Sequence, residues 1–155
     1  MPKHWLMKSE PDVYSIDDLA RDKRTFWNGV RAYAPRNFMR DEMAPGDLAF
    51  FYHSNADPSG VAGVMEVVSK GKPDPTQFDK KLGEDMGFDP KAKKDAPIWF
   101  GVDVAFKEKW KEPVTLADIK AEPKLKDMKL LKVSRLSVSP VAPAEWKVVV
   151  GMAGR

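Results

Sequence analysis

The chain has 155 residues, 43% hydrophobic and 32% charged, the size and balance of one globular domain with a core of its own. With no cysteine and two histidines it excludes disulfides and thiolate metal sites and argues against a histidine-built metal centre, so no cofactor is expected. A net charge of +3 leans towards acidic partners, but runs such as Lys107-Glu108-Lys109 and Asp127-Met128-Lys129 mix the signs as a solvated face does, not as a dedicated nucleic-acid groove does. No stretch approaches a membrane span and Pro2-Lys3 opens no signal peptide, which sets the expectation of a cytoplasmic protein with no membrane contact.

His4 to Lys8 reads as a short strand with Trp5 and Met7 on one face and Leu6 on the other. It ends at Lys8-Ser9-Glu10-Pro11, because Pro11 biases Glu10 away from the helical region. Ser15-Ile16-Asp17-Asp18 has capping-box spacing and predicts a helix from Ile16 to Arg21, followed by a polar linker to Arg24. Thr25 to Phe38 then mixes aromatic faces (Trp27, Tyr33) with fixed donors (Arg31, Arg36, Asn28, Asn37). Gly29 permits a positive φ there, and Pro35 predicts a turn from loop into helix, with Arg36 and Arg40 one turn apart. Such a mixture suits a planar, polar ligand such as a nucleobase. The plainer alternative, which the pattern alone favours, has Trp27 and Tyr33 plugging the core edge and the arginines solvated.

Met39 and Met43 are spaced for one buried helical face, stopped by Pro45-Gly46. Asp47 to His53 is apolar on both faces, the character of a central strand, and a polar turn joins it to Val61–Val68 as a hairpin. Lys70 to Asp95 reads as a surface excursion pinned by Phe78, Leu82, Met86 and Phe88. Ile98 to Phe106 alternates as a strand with Ile98, Phe100, Val102, Val104 and Phe106 towards the core and Trp99 and Asp103 opposite. Thr115 repeats the capping pattern before a short helix, and Leu125, Met128 and Leu131 suggest a further turn or two. Arg135 to Val141 reads as a late strand closed by Pro140, and Pro143 to Val150 as a terminal helix with Trp146 and Val150 on one face. Five or so strands with scattered short helices, and no regular alternation of the two, imply an α+β fold built on a small, mostly antiparallel barrel.

No serine sits in a nucleophile-elbow sequence, and no glycine loop has the phosphate-cradling pattern. Glu66 is either a buried acid or, more simply, a rim carboxylate. His53 is either a pocket wall or a satisfied structural histidine. No catalytic constellation emerges, so binding is expected and not an enzyme.

Six motifs in order, Trp5-Leu6-Met7-Lys8-Ser9-Glu10-Pro11, Trp27-Asn28-Gly29-Val30-Arg31, Gly46-Asp47-Leu48, Tyr52-His53-Ser54-Asn55, Asp74-Pro75-Thr76 and Arg135-Leu136-Ser137-Val138, closely resemble the EVE domain family. The resemblance spans nearly the whole chain as a single domain over 1–155. It implies a PUA-like fold, a mixed and mostly antiparallel β-barrel with short peripheral helices, related to the YTH domains. It also implies a reader of modified bases in DNA or RNA, and a monomer is expected. By analogy with those relatives Trp27 is part of an aromatic cage, with Tyr33 and Trp99 as further candidates. Ser9 and Asn28 hydrogen-bond the base; Lys8, Val30, Arg31, Tyr33 and Arg36 are expected around it; and Tyr52, His53, Ser54, Arg135 and Ser137 complete the pocket. Ala32 and Ala34-Pro35 depart from the family pattern at the rim. The competing functions are a hydrolase of modified nucleosides, using Glu66, Lys8 or His53, and a small-molecule or protein interaction module.

Overall fold

The computed structural model describes residues 2–154. Its sheet has the strand order β2-β7-β4-β3-β1-β8 and curls into a half-barrel, with β2 and β8 as its edges (β1 His4–Ser9, β2 Arg24–Phe26, β3 Leu48–His53, β4 Gly60–Val67, β7 Asp103–Thr115, β8 Val138–Val141). A two-stranded ribbon, β5 (Lys72–Pro73) with β6 (Phe100–Gly101), stands apart. The pairing is antiparallel except between β1 and β3, whose intervening chain makes the crossover that parallel neighbours require. Side-chain alternation divides the interior in two. Trp5, Met7, Ala49 and Phe51 join Trp27 in one core, while Leu6, Phe50 and Tyr52 join Trp146 in another on the opposite face. No helix among the described residues is long and apolar enough to cross a membrane.

The first helix, α1 (Ile16–Asp22), forms where the capping box places it: Ser15 Oγ accepts from Asp18 N–H at 3.1 Å and the Asp18 carboxylate accepts from Ser15 N–H at 2.9 Å. The polar linker expected after it contains β2, an edge strand too short and polar to show alternation. Next, α2 (Tyr33–Asn37) starts two residues ahead of Pro35, which the first turn tolerates because a backbone N–H there would have no partner within the helix and proline has none to offer. It continues as a π-helical turn, Phe38–Glu42, closed by Met43 N–H donating to Phe38 O, and buries Met39 and Met43 as expected. Thr115 caps α3 (Leu116–Ala121), a 3-10 turn follows at Pro123–Leu125, then α4 (Lys129–Lys132). The late strand is only β8, with Pro140 inside it, acceptable on an edge. In α5 (Pro143–Ala153) Trp146 stacks on Phe50 at 3.8 Å and pairs with buried Val149, while Val150 is exposed.

One expectation fails and another holds only in part, each for a physical reason. The strand foreseen over Ile98–Phe106 breaks at Val102, where the chain changes partner from β5 to β4, and Trp99 is buried while Ile98 and Phe100 are only half-buried. Beyond the break β7 runs on through the charged Lys107–Lys109 stretch, whose outward side chains hid it. The 70–95 excursion is held by polar groups as well as by its apolar ones: Phe78, Leu82 and Phe88 are half-buried and Met86 is 68% exposed, whereas Asp74 and Gln77 are fully buried. Gln77 Nε2 donates to Asp74 O (2.8 Å) and Trp99 O (2.7 Å), and its Oε1 accepts from Ile98 N–H and Trp99 N–H. The Asp74 carboxylate accepts from Gly29 N–H (2.7 Å), Arg31 Nη1 (3.1 Å), Thr76 N–H (2.8 Å) and Thr76 Oγ1 (2.6 Å).

Three outcomes follow from this packing. Asp74→Ala leaves Arg31 without its carboxylate and is expected to cost about 3–5 kcal/mol in urea unfolding. A Cβ at Gly101 collides with the Trp27 carbonyl oxygen, so Gly101→Ala should lose about 1–3 kcal/mol by the same measurement. His53 Nε2 accepts from Ile16 N–H at 3.1 Å, and burial pushes this imidazole below its ordinary 6.5, against Asp17 and with Lys109. The neutral ring therefore stabilises the fold fully above 6.5, and that contribution is lost as pH falls through the lower folded value. Burial lowers His4 too, so the wild-type urea midpoint should fall below pH 6.5 with a slope that His53→Gln reduces without abolishing.

Candidate functional site

At the end of β1 the alternation sends Lys8 towards the Tyr52 face and Ser9 towards the Trp27 face. Trp27 follows β2 directly and its N–H donates to Val102 O at 2.8 Å. Its indole meets the Phe51 ring edge-on at 5.4 Å and remains 7% exposed, so one side belongs to the core and the other borders a hollow. This pocket encloses about 270 Å³. Ser9, Trp27 and Asn28 line it together with Tyr14 and Thr25, Phe26 and Lys8 complete its walls, and Val13, 77% exposed, forms an apolar lip.

The polar groups at its mouth are unevenly committed. Ser9 Oγ donates to Tyr14 O at 2.7 Å, which fixes its rotamer and leaves its lone pairs to accept from a ligand. Asn28 is exposed, and its amide has no protein partner among the described residues. Tyr14 is tied down through its hydroxyl, which donates to Asp22 at 2.8 Å; burial, then that bond, pushes its pKa up. Lys8 Nζ donates to Ser134 O at 2.5 Å, and burial lowers its pKa. Behind Asn28, Gly29 takes φ +84° and directs its N–H to Asp74, so the loop is fixed by a buried carboxylate.

The structure thus brings Lys8, Ser9, Trp27 and Asn28 together and places the other expected residues elsewhere. Val30 is buried in the core. Arg31 faces away from the pocket, bonded to Asp74, Thr76 Oγ1 (2.7 Å) and Gly87 O (2.7 Å). Tyr33, 62% exposed, lies beside Trp99 at 5.1 Å with the Arg36 guanidinium 4.8 Å above it, a platform distinct from the Trp27 pocket. Arg36 also donates to Ile98 O, and Trp99 Nε1 donates to Asp89. Tyr52 faces the other core, His53 holds Ile16, and Ser54 donates its N–H to Ser9 O. Arg135 is exposed, and Ser137 contributes the carbonyl that accepts from Lys8 N–H at 2.8 Å.

Tyr14 and Val13 were missed because they lie in a short link with no period of its own; the signal was a valine and a tyrosine side by side in the otherwise polar or proline-bearing stretch between β1 and α1. The acid-base groups of the hydrolase alternative do not converge. Glu66 pairs with Lys107 at 3.3 Å as a half-exposed rim carboxylate, next to Leu48 at the opposite end of β3 from His53.

A family model described as the EVE domain matches residues 3–152. Thymocyte nuclear protein 1 of Homo sapiens is 40% identical over 98% of this chain and 74% of its own length. A solved structure of a hypothetical protein from Leishmania major aligns with TM-score 0.94 and 44% identity, over 99% of this chain and 96% of that one. The human THYN1 protein, solved in complex with 5-methylcytosine-containing DNA, aligns with TM-score 0.91 and 39% identity, over 99% and 98% of the two chains. The relatives' name corrects one expectation: it points to the nucleus, not the cytoplasm. With a model covering nearly every residue and relatives this similar along the whole chain, the protein belongs to the EVE domain family.

Proposed function

We propose that this protein reads modified DNA by holding one flipped base, a 5-methylcytosine or close analogue, in the Trp27 pocket. The observation that carries the reading is the pocket itself, with an indole wall, an open hydroxyl acceptor on Ser9 and an unpartnered amide on Asn28 around a hollow of about 270 Å³. The complex of human THYN1 with 5-methylcytosine-containing DNA supports the same substrate class.

The magnitudes are compatible. Extruding a base costs a few kcal/mol. Stacking on an aromatic returns about 1–3 kcal/mol, and each edge hydrogen bond about 0.5–1.5 kcal/mol. A methyl group buried against Val13 or Trp27 adds roughly 0.8 kcal/mol, about a fourfold preference, so discrimination is modest unless water is well excluded.

Fluorescence anisotropy with duplexes differing only in one 5-methylcytosine tests this, with the matching 5-methylcytidine RNA as comparator. The expected result is a several-fold preference for methylated DNA and a loss of about three- to tenfold in Asn28→Ala. Asn28 is the cleaner probe, because Trp27→Ala also removes a core ring and should cost about 3–5 kcal/mol of stability. Equal binding of both duplexes, unaffected by Asn28→Ala, would refute the pocket assignment.

A further inference from the structure

On the opposite face from Trp27 lies a second cavity of about 500 Å³, larger than the first. Leu116, Leu130 and Leu131 give it an apolar floor beside Tyr52, and Lys8, Lys120 and Lys126 stand around it. No carboxylate lines it. Among the described residues none of these three lysines is in an ion pair, whereas Lys72, Lys107, Lys109 and Lys132 each have an acid. The nearby acids are engaged: Glu122 accepts from Lys124 N–H, Asp127 faces Lys132 at 3.9 Å, and Asp118 caps α3. The cavity is therefore a concentration of positive charge with no carboxylate on its lining and no ion pair to its lysines.

Lys8 makes the link to the first pocket, since it lines both. Its ammonium sits 5.8 Å above the Tyr52 ring and gives one N–H to Ser134 O, leaving two donors free. We propose that this lysine-ringed cavity binds the sugar-phosphate backbone of the strand whose base occupies the Trp27 pocket. The inference rests on that reading of the base pocket. Three separate point charges suit the spread oxygens of successive phosphates better than a planar carboxylate, which an arginine fork would match. The leucine floor suits the apolar side of deoxyribose. Burial of Lys8 without a facing acid lowers its affinity for a proton, and a phosphate beside it would restore that affinity.

The test is the salt dependence of DNA binding between about 50 and 200 mM salt, for methylated and unmethylated duplexes. The double variant Lys120→Gln/Lys126→Gln changes two exposed side chains and should leave the fold intact. It is expected to lower the slope of log K against log salt by about 1.8, to weaken both duplexes equally and to keep the methyl preference. Lys120→Arg/Lys126→Arg should restore the slope. Lys124→Gln/Lys129→Gln, the same charge loss on neighbouring lysines outside the cavity, should change it less. An unchanged slope, an equal effect of the Lys124/Lys129 pair, or loss of methyl preference in the cavity variant each overturns the proposal, as does absence of DNA binding by the wild type. If the wild type shows no methyl preference but the cavity variant still lowers the slope, the base reading fails and the phosphate site stands.

Discussion

The Asp74 carboxylate, fully buried, accepts hydrogen bonds from the Gly29 amide, the Arg31 guanidinium and both donors of Thr76. Those donors come from two segments far apart in sequence, the loop carrying Trp27 and Asn28 and the excursion after β4. Loops are ordinarily the mobile part of a fold. Here the loop has a fixed φ at Gly29, a charge-assisted bond at Arg31 and a strand-like bond at Trp27 N–H, so its aromatic wall is set before any ligand arrives. Preorganisation of this kind reduces the ordering cost of binding. Asp47 does similar work at the other end of the sheet, accepting from Trp5 Nε1, Lys3 N–H and Ala44 N–H.

The second organising constraint is the period of two along β1 and β3. Because Phe51 and Tyr52 are neighbours in sequence, they must point to opposite sides of the sheet, one against Trp27 and one into the lysine-rimmed cavity. Residues 52 to 54 were expected beside the base through family analogy. The pleat places the Tyr52 ring across the sheet, and the hydrogen bond to α1 occupies His53.

What could be read from the chain was whatever announces itself locally. Both capping boxes, the doubly buried β3 and its hairpin with β4 have period or spacing as their signal, and they formed where that signal lies. The Ile98–Phe106 pattern was equally regular and misled, because a change of strand partner at Val102 is decided by distant chain. Polar anchoring was invisible for a related reason. Asp74 and Gln77 look like turn residues, and only the arrival of Gly29, Arg31 and Trp99 makes them core. At the site, Trp27, Asn28, Ser9 and Lys8 could be read because they are unusual company for one another. Val13 and Tyr14 could not, since their role depends on how a short link folds back over the mouth.

Trp27 is a wall of the pocket and a member of the core at once, packed edge-on against Phe51. A ring shared in this way couples occupancy to global unfolding, because whatever stacks on its open side adds to the free energy that must be given up when the core melts. The same indole is positioned to report both events optically, so a bound guest and a loosening interior would register in one chromophore.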